Sequence, residues 1–207
     1  MSRANATETL VDLHPSHFQR AMPMLRRETV ERIQRCDRLA HRLAKLIDYR
    51  IDRPEQAASD FDVLAYRPRF EVEVAGRHMG ALIFGRALAR YVDTASIAVL
   101  NREVGTSARM FGIRHSVQIV SPIVLPTIEG GAEELASAIN DWGWRCLVRW
   151  RDQVSPTCQK AATLRLPAVG LPDAAPETSD AIIRHVIATF FAPANVKEDE
   201  ALEESGI

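Results

Sequence analysis

Few side chains in this chain stand at spacings that do chemistry. His14 and His17 bracket Pro15 and Ser16. A structural or catalytic metal needs three or four thiolate, imidazole or carboxylate ligands. No partner for this pair stands at ligand spacing, and a histidine before a proline suits a local polar or capping role. Asp60-Phe61-Asp62 has the form of the DxD of some metal-dependent transferases. Nothing else of a nucleotide-sugar enzyme accompanies it, so a solvated loop is expected. Cys36 and Cys146 fall on apolar helical faces, where a thiol behaves as a small hydrophobe. Cys158 is expected to be more exposed, yet no His and Asp pair can be matched to it as a nucleophile. No phosphate loop of the GxxxxGK[ST] type occurs. Gly76, Gly80 and Gly85 do not form GxGxxG; they read as small residues for close helix packing. The sequence therefore names no catalytic, metal or cofactor-binding residue.

Two groups remain as candidate partner contacts. The first is a run of arginines on one predicted helix, with Arg32, Arg35 and Arg42 on the face away from its apolar stripe. Clustered guanidinium groups make bidentate contacts to carboxylates and phosphates. The second is the stretch WGWRCLVRWRD, which interleaves Trp142, Trp144 and Trp150 with Arg145, Arg149 and Arg151. Such interleaving can stack and track nucleic acid. At helical spacing, however, Trp142, Cys146 and Trp150 share one side and read as core. That leaves Trp144 at the core margin or at a partner interface, with Arg149 beside it.

The elements that must position these residues follow from periodicity. Residues 1–22 form an N-terminal arm. From 25 to 49, Val30, Ile33, Leu39, Leu43 and Leu46 recur at helical steps, and Pro54 ends anything continuing from them. Phe70, Val72 and Val74 alternate with Glu71 and Glu73, which predicts a short half-buried strand. Residues 79–91 are apolar nearly all round and predict a central helix kept thin by glycine and alanine. Asp93 predicts an N-cap for the next helix and Gly105 its left-handed stop, with Thr106 or Ser107 capping the helix after it. Residues 117–128 are β-branched but broken by Pro122 and Pro126, as in an extended buried connection or edge strand. A long helix is predicted over 132–153, a shorter one from Pro156, and a last one over 177–191. Beyond Pro193 the tail VKEDEALEESGI is acidic, and its composition predicts mobility. The expected fold is thus mainly α: a single compact multi-helix domain over 23–192, at most one or two short strands, and an acidic flexible tail over 193–207.

Composition bounds the function. The chain has 207 residues, 46% hydrophobic and 26% charged, and a net charge of -1. That is ordinary for a folded domain, and it argues against nucleic-acid or membrane binding driven by overall charge. Three widely spaced cysteines suggest neither a disulfide framework nor a zinc knuckle, and they fit a reducing compartment. No apolar run approaches a membrane span, and the first twenty residues lack a signal-peptide core. A cytoplasmic protein is expected.

Three patches in order carry a resemblance. They are LHPSHFQRAMP near the start, the block GALIFGRALARYVDTASIAVLNREVGTSARMFGIRHS over 80–116, and LRLP at 164–167. The block resembles the core of the SctK family, the cytoplasmic accessory proteins of bacterial type III secretion systems, rhizobial nodulation relatives included. In that family a GALL-like helix carrying an arginine precedes a short capped helix and then a helix ending in an FALR-like sequence. Phe111-Gly112-Ile113-Arg114 matches that ending, with a glycine as a departure that leaves the end of the helix open. The resemblance implies a non-enzymatic adaptor with no cofactor, peripheral to the inner membrane when assembled. It would link the inner-membrane ring protein SctD to the pod protein SctQ, and so to SctL and the ATPase SctN. The rival reading is a small helical regulator binding nucleic acid through the Arg helix and the Trp/Arg segment.

Overall fold

The computed structural model describes residues 10–36, 38–39, 42, 45, 59–117, 128 and 130–191. The acidic tail, the apolar connection over 118–127 and most of the segment from 40 to 58 lie outside the described residues. Helix starts follow the chain's punctuation. Pro15 opens α1 (Pro15–Ala21), whose N-cap is His14. The arginine-bearing α2 is Arg27–Gln34. A single turn, α3 (Asp62–Ala65), leads through Pro68 into α4 (Arg69–Ile83). After a break at Phe84 come α5 (Gly85–Leu88) and α6 (Thr94–Glu103). Asp93 caps α6 by accepting the Ser96 N–H at 2.8 Å. Gly105, at φ +97°, both ends α6 and precedes α7 (Thr106–His115). The long α8 is Ala132–Gln153, α9 is Pro156–Arg165, and a 3₁₀ turn (Glu177–Ser179) leads into α10 (Asp180–Phe190). Among the described residues there is no strand. No described helix is long and apolar enough to cross a membrane.

The predicted strand at 70–74 is a helix. Val72, Ala75, Met79 and Leu82 are all buried and recur at three- or four-residue steps, whereas Phe70 is 63% exposed. Period-two alternation over five residues was embedded in a longer helical period. Ion pairs Arg67–Glu71 and Arg69–Glu73 join the charged residues one turn apart, as a helix allows. The central helix accordingly starts ten residues earlier than predicted and stops at Ile83 rather than continuing to Tyr91.

The glycines explain how α4 occupies the centre. Gly76 faces Gly143 of α8, and a Cβ on Gly80 would run into the backbone carbonyl of Ile139. On the other side, a Cβ on Gly112 would strike the Ala81 carbonyl, and one on Gly85 the Gly112 carbonyl. Backbone thus meets backbone along two seams, α4 on α8 and α4–α5 on α7. The glycine that departs from the FALR-like pattern is one of those contacts, and α7 passes through it to His115. No side chain of Thr106 or Ser107 caps α7.

Three apolar clusters result. The largest gathers Leu64, Val72, Met79, Leu147, Trp150 and Ile183 between α4, α8, α9 and α10. A second, with Phe84, Leu88, Leu100, Leu135 and Ile139, lies around α5, α6 and α8. A third seats the N-terminal arm: Leu10, Leu13, Phe18 and Val30 close over Leu164. Cys158, predicted exposed, is fully buried in the first cluster, because α9 turns Cys158 and Ala162 inward together. Its thiol lies 3.2 Å from the Tyr66 hydroxyl. Burial pushes the Cys146 thiol up to about 12, so it is protonated and inert.

Candidate interaction surfaces

Two of the three patches singled out in the sequence meet in space. His14 is neutral: burial, followed by the nearby Arg69 and Arg27 charges, lowers its pKa to about 4. Its Nδ1 accepts the Ser16 backbone N–H at 3.3 Å and the Ser16 hydroxyl at 2.7 Å. The same hydroxyl accepts the Ala168 N–H at 2.8 Å. His17 donates through Nε2 to the Leu166 carbonyl at 2.8 Å and the Thr163 carbonyl at 3.2 Å. The His14 N–H donates to the Leu164 carbonyl at 2.8 Å. LHPSH and LRLP are therefore the two halves of one clasp. Arg165, inside the second half, is buried and donates to the carbonyls of Arg67 and Ala161. His14 fills the local capping role expected of it, whereas His17, expected to act locally, reaches carbonyls 146 and 149 residues away.

Asp62 likewise departs from its expected loop role. It is fully buried, and its carboxylate accepts the N–H groups of Ser59 and Ser155, tying the start of α3 to the start of α9. Asp60 is exposed. Among the described residues, no group of three or more His, Cys, Asp or Glu side chains could hold a metal ion.

The clasp bounds two open grooves. One, of about 710 Å³, is lined by His14, Arg27, Glu73, Asp141, Trp144 and Leu171, among others. The other, of about 560 Å³, lies along His17, Arg20, Arg151, Lys160 and the same 167–171 loop. Trp144 is half-buried at the first groove and borders a small recess of about 110 Å³ against Gly143 and Leu147.

The five residues expected to bind partners divide into three situations. Arg32, Arg35 and Arg42 are exposed. The predicted 25–49 helix is interrupted after Gln34. There the Gln34 amide turns inward to donate to the Leu10 and Leu13 carbonyls, and Cys36 N–H closes back on Ile33. Trp144 shares its groove with Arg27, the first residue of α2, while Arg32, Arg35 and Arg42 are not among the residues lining that groove. Arg149 is engaged internally: its guanidinium grips the Asp180 carboxylate at 2.9 and 3.1 Å, fastening α8 to α10. Trp150 is core, its indole N–H donating to the Phe61 carbonyl at 2.8 Å. Arg145 pairs with Asp141 at 2.7 Å and lies over the Trp142 ring.

Sequence reading missed a second histidine group. His115 of α7 and His185 of α10 share a hydrogen bond at 3.0 Å. They stand beside Phe111 and Phe190, with His78 packed on both phenyl rings. Seventy residues separate the two imidazoles, so no local spacing could have announced them.

The chain is similar to a nodulation protein. It is 29% identical over 191 residues to nodulation protein NolU of Rhizobium fredii and of Sinorhizobium fredii (strain NBRC 101917 / NGR234). The similarity covers 89% of this chain and 86% of each relative. No family model and no solved structure matches the chain.

Proposed function

We propose that this chain is a non-enzymatic adaptor of a bacterial type III secretion sorting platform. It links an SctD-like inner-membrane ring protein to an SctQ-like pod protein, and through it to SctL and SctN. It works in the cytoplasm, peripheral to the inner membrane when assembled. The observation that carries the reading is the similarity to a nodulation protein along 89% of the chain. Support comes also from the resemblance block, whose glycines form the central seams, and from the joining of the two flanking patches. An adaptor holds two surfaces at a fixed separation, and the close-packed seams of α4 give the body that rigidity.

The exposed Arg32, Arg35 and Arg42 serve as partner contacts, and Trp144 with Arg27 lines a groove at the start of α2. Arg149 acts from within, by fixing α10 on α8. The nucleic-acid reading is weakened because each arginine of the Trp segment already has a carboxylate: Asp141 for Arg145, Asp180 for Arg149, Asp152 for Arg151.

The test is co-purification of the tagged chain from its native cell, with and without Arg32→Glu/Arg35→Glu. Recovery of SctQ-like and SctD-like proteins is expected, with one of them lost in the double variant. Recovery of neither, with nucleic acid bound instead, would overturn the reading.

A further inference from the structure

The two grooves that share the 167–171 loop differ in charge. In the larger one Arg27 stands with two carboxylates, those of Glu73 and Asp141. The smaller one, of about 560 Å³, is lined by Arg20, Arg151 and Lys160, and among the described residues no carboxylate lines it. Its cations come from three elements: the last turn of α1, the last turn of α8 and the middle of α9. The clasp helps to assemble them, because His17 bonds to the Thr163 and Leu166 carbonyls and so ties α1 to the end of α9. Arg20 is exposed and has no ion pair among the described residues. Arg151 meets Asp152 at 2.8 Å, and Asp152 does not line the groove.

One wall of the groove is a face of α9. Pro156, Gln159, Lys160 and Thr163 recur at three- and four-residue steps and are all exposed, while Cys158, Ala161 and Ala162 turn into the core. At 1.5 Å per residue that face runs about 10 Å, the length of about three residues of extended chain. Pro167 and Leu171 add an apolar wall. Apart from the His17 imidazole, already bonded, no aromatic ring among the described residues lines the groove. Nucleic-acid bases would find no stacking platform there.

We propose that this groove binds a short acidic segment of a partner protein, laid along α9. Its carboxylates meet Arg20, Arg151 and Lys160, and an apolar side chain rests against Pro167 and Leu171. Guanidinium and ammonium groups recognise acidic motifs in this way. Arg32, Arg35 and Arg42 do not line the groove. The test needs only this chain, so this inference and the adaptor reading can fail separately.

The experiment titrates the full-length chain into a fluorescent, end-blocked peptide of three Glu-Leu repeats. The same peptide with glutamine for glutamate and a short oligothymidine serve as comparisons, and the series is repeated with Arg20→Glu/Lys160→Glu. The acidic peptide should bind saturably, more weakly at high salt and about tenfold or more weakly to the double variant. Zero-length carbodiimide coupling reads the position: of the three lysines, Lys45, Lys160 and Lys197, it is Lys160 that should carry most of the peptide. Absence of saturable binding, equal binding of the glutamine peptide, or coupling spread evenly over the three lysines would overturn the proposal. So would an affinity unchanged in a double variant of native helicity. Preference for the oligonucleotide, or a dimer by light scattering that the same reversals dissolve, would overturn it by giving the groove to nucleic acid or to a second copy.

Discussion

At Gly80 the space a side chain would fill is taken by the Ile139 carbonyl, and at Gly112 by that of Ala81. Neither obstacle can rotate away, because each belongs to a helix backbone. Gly80→Ala and Gly112→Ala should therefore each destabilise the fold by about 1–3 kcal/mol or more, read as a lowered urea midpoint. Gly131, the N-cap of α8, has nothing within 4 Å of its missing Cβ, and Gly131→Ser should be neutral or slightly stabilising. His14 carries the pH dependence at this scale. Its pKa is about 4 in the fold and about 6.5 unfolded. The unfolded chain therefore binds the extra proton, and stability present above about pH 6.5 is lost progressively as pH falls toward 4. His78 and His185, both lowered chiefly by burial, act in the same direction. His14→Asn keeps a capping acceptor without titrating, so its stability should fall less between pH 7 and 4 than that of the natural chain. An unchanged slope would remove His14 from that account.

At the scale of elements, what the sequence made legible was whatever depends on neighbours along the chain. Asp93 and Gly105 bounded α6, Gly131 preceded α8, and Pro156 opened α9, because caps, left-handed turns and proline act locally. The strand expected at 70–74 failed because a five-residue window cannot tell a two-residue period from part of a helical one. The break after Gln34 carries no proline or glycine. It comes from an amide reaching 24 residues back to Leu10, which no local pattern encodes. The same limit governs the candidate surface. The exposure of Arg32 and Arg35 followed from helical phase, but Arg149 could not be told from them until Asp180 was seen beside it. The central place of the last turn of α4, residues 79–83, was legible and gives a sharp test. Leu82→Asp puts a carboxylate where the side chain is 3% exposed, and the protein should lose its cooperative melt. A soluble variant with the natural melting curve would refute that placement. Ile83, by contrast, is only half-buried, and a charge there should be less damaging.

Across the whole molecule, the arm is held by contacts made late in the chain. Leu10, Leu13, Phe18 and Val30 have Leu164 as their buried counterpart, and the histidines bond to carbonyls at 163, 164 and 166. Removing the clasp should free the arm while sparing the main core. In Ser16→Ala/His17→Ala, trypsin should cut at Arg26 and Arg27 several-fold faster, with little change in the global melting temperature. Equal cleavage rates would show that the apolar seat alone suffices.

The clasp also has a consequence in time. His17 and Leu166 are 149 residues apart. At a synthesis rate of about 5–20 residues per second, about 7–30 s pass between the appearance of one half and of the other. During that interval the arm's leucines and Phe18 have no seat, and the arginines of α2 are presented by a segment not yet fixed to the body. Whatever binds the nascent chain in those seconds meets the proposed partner surface before the fold that positions it.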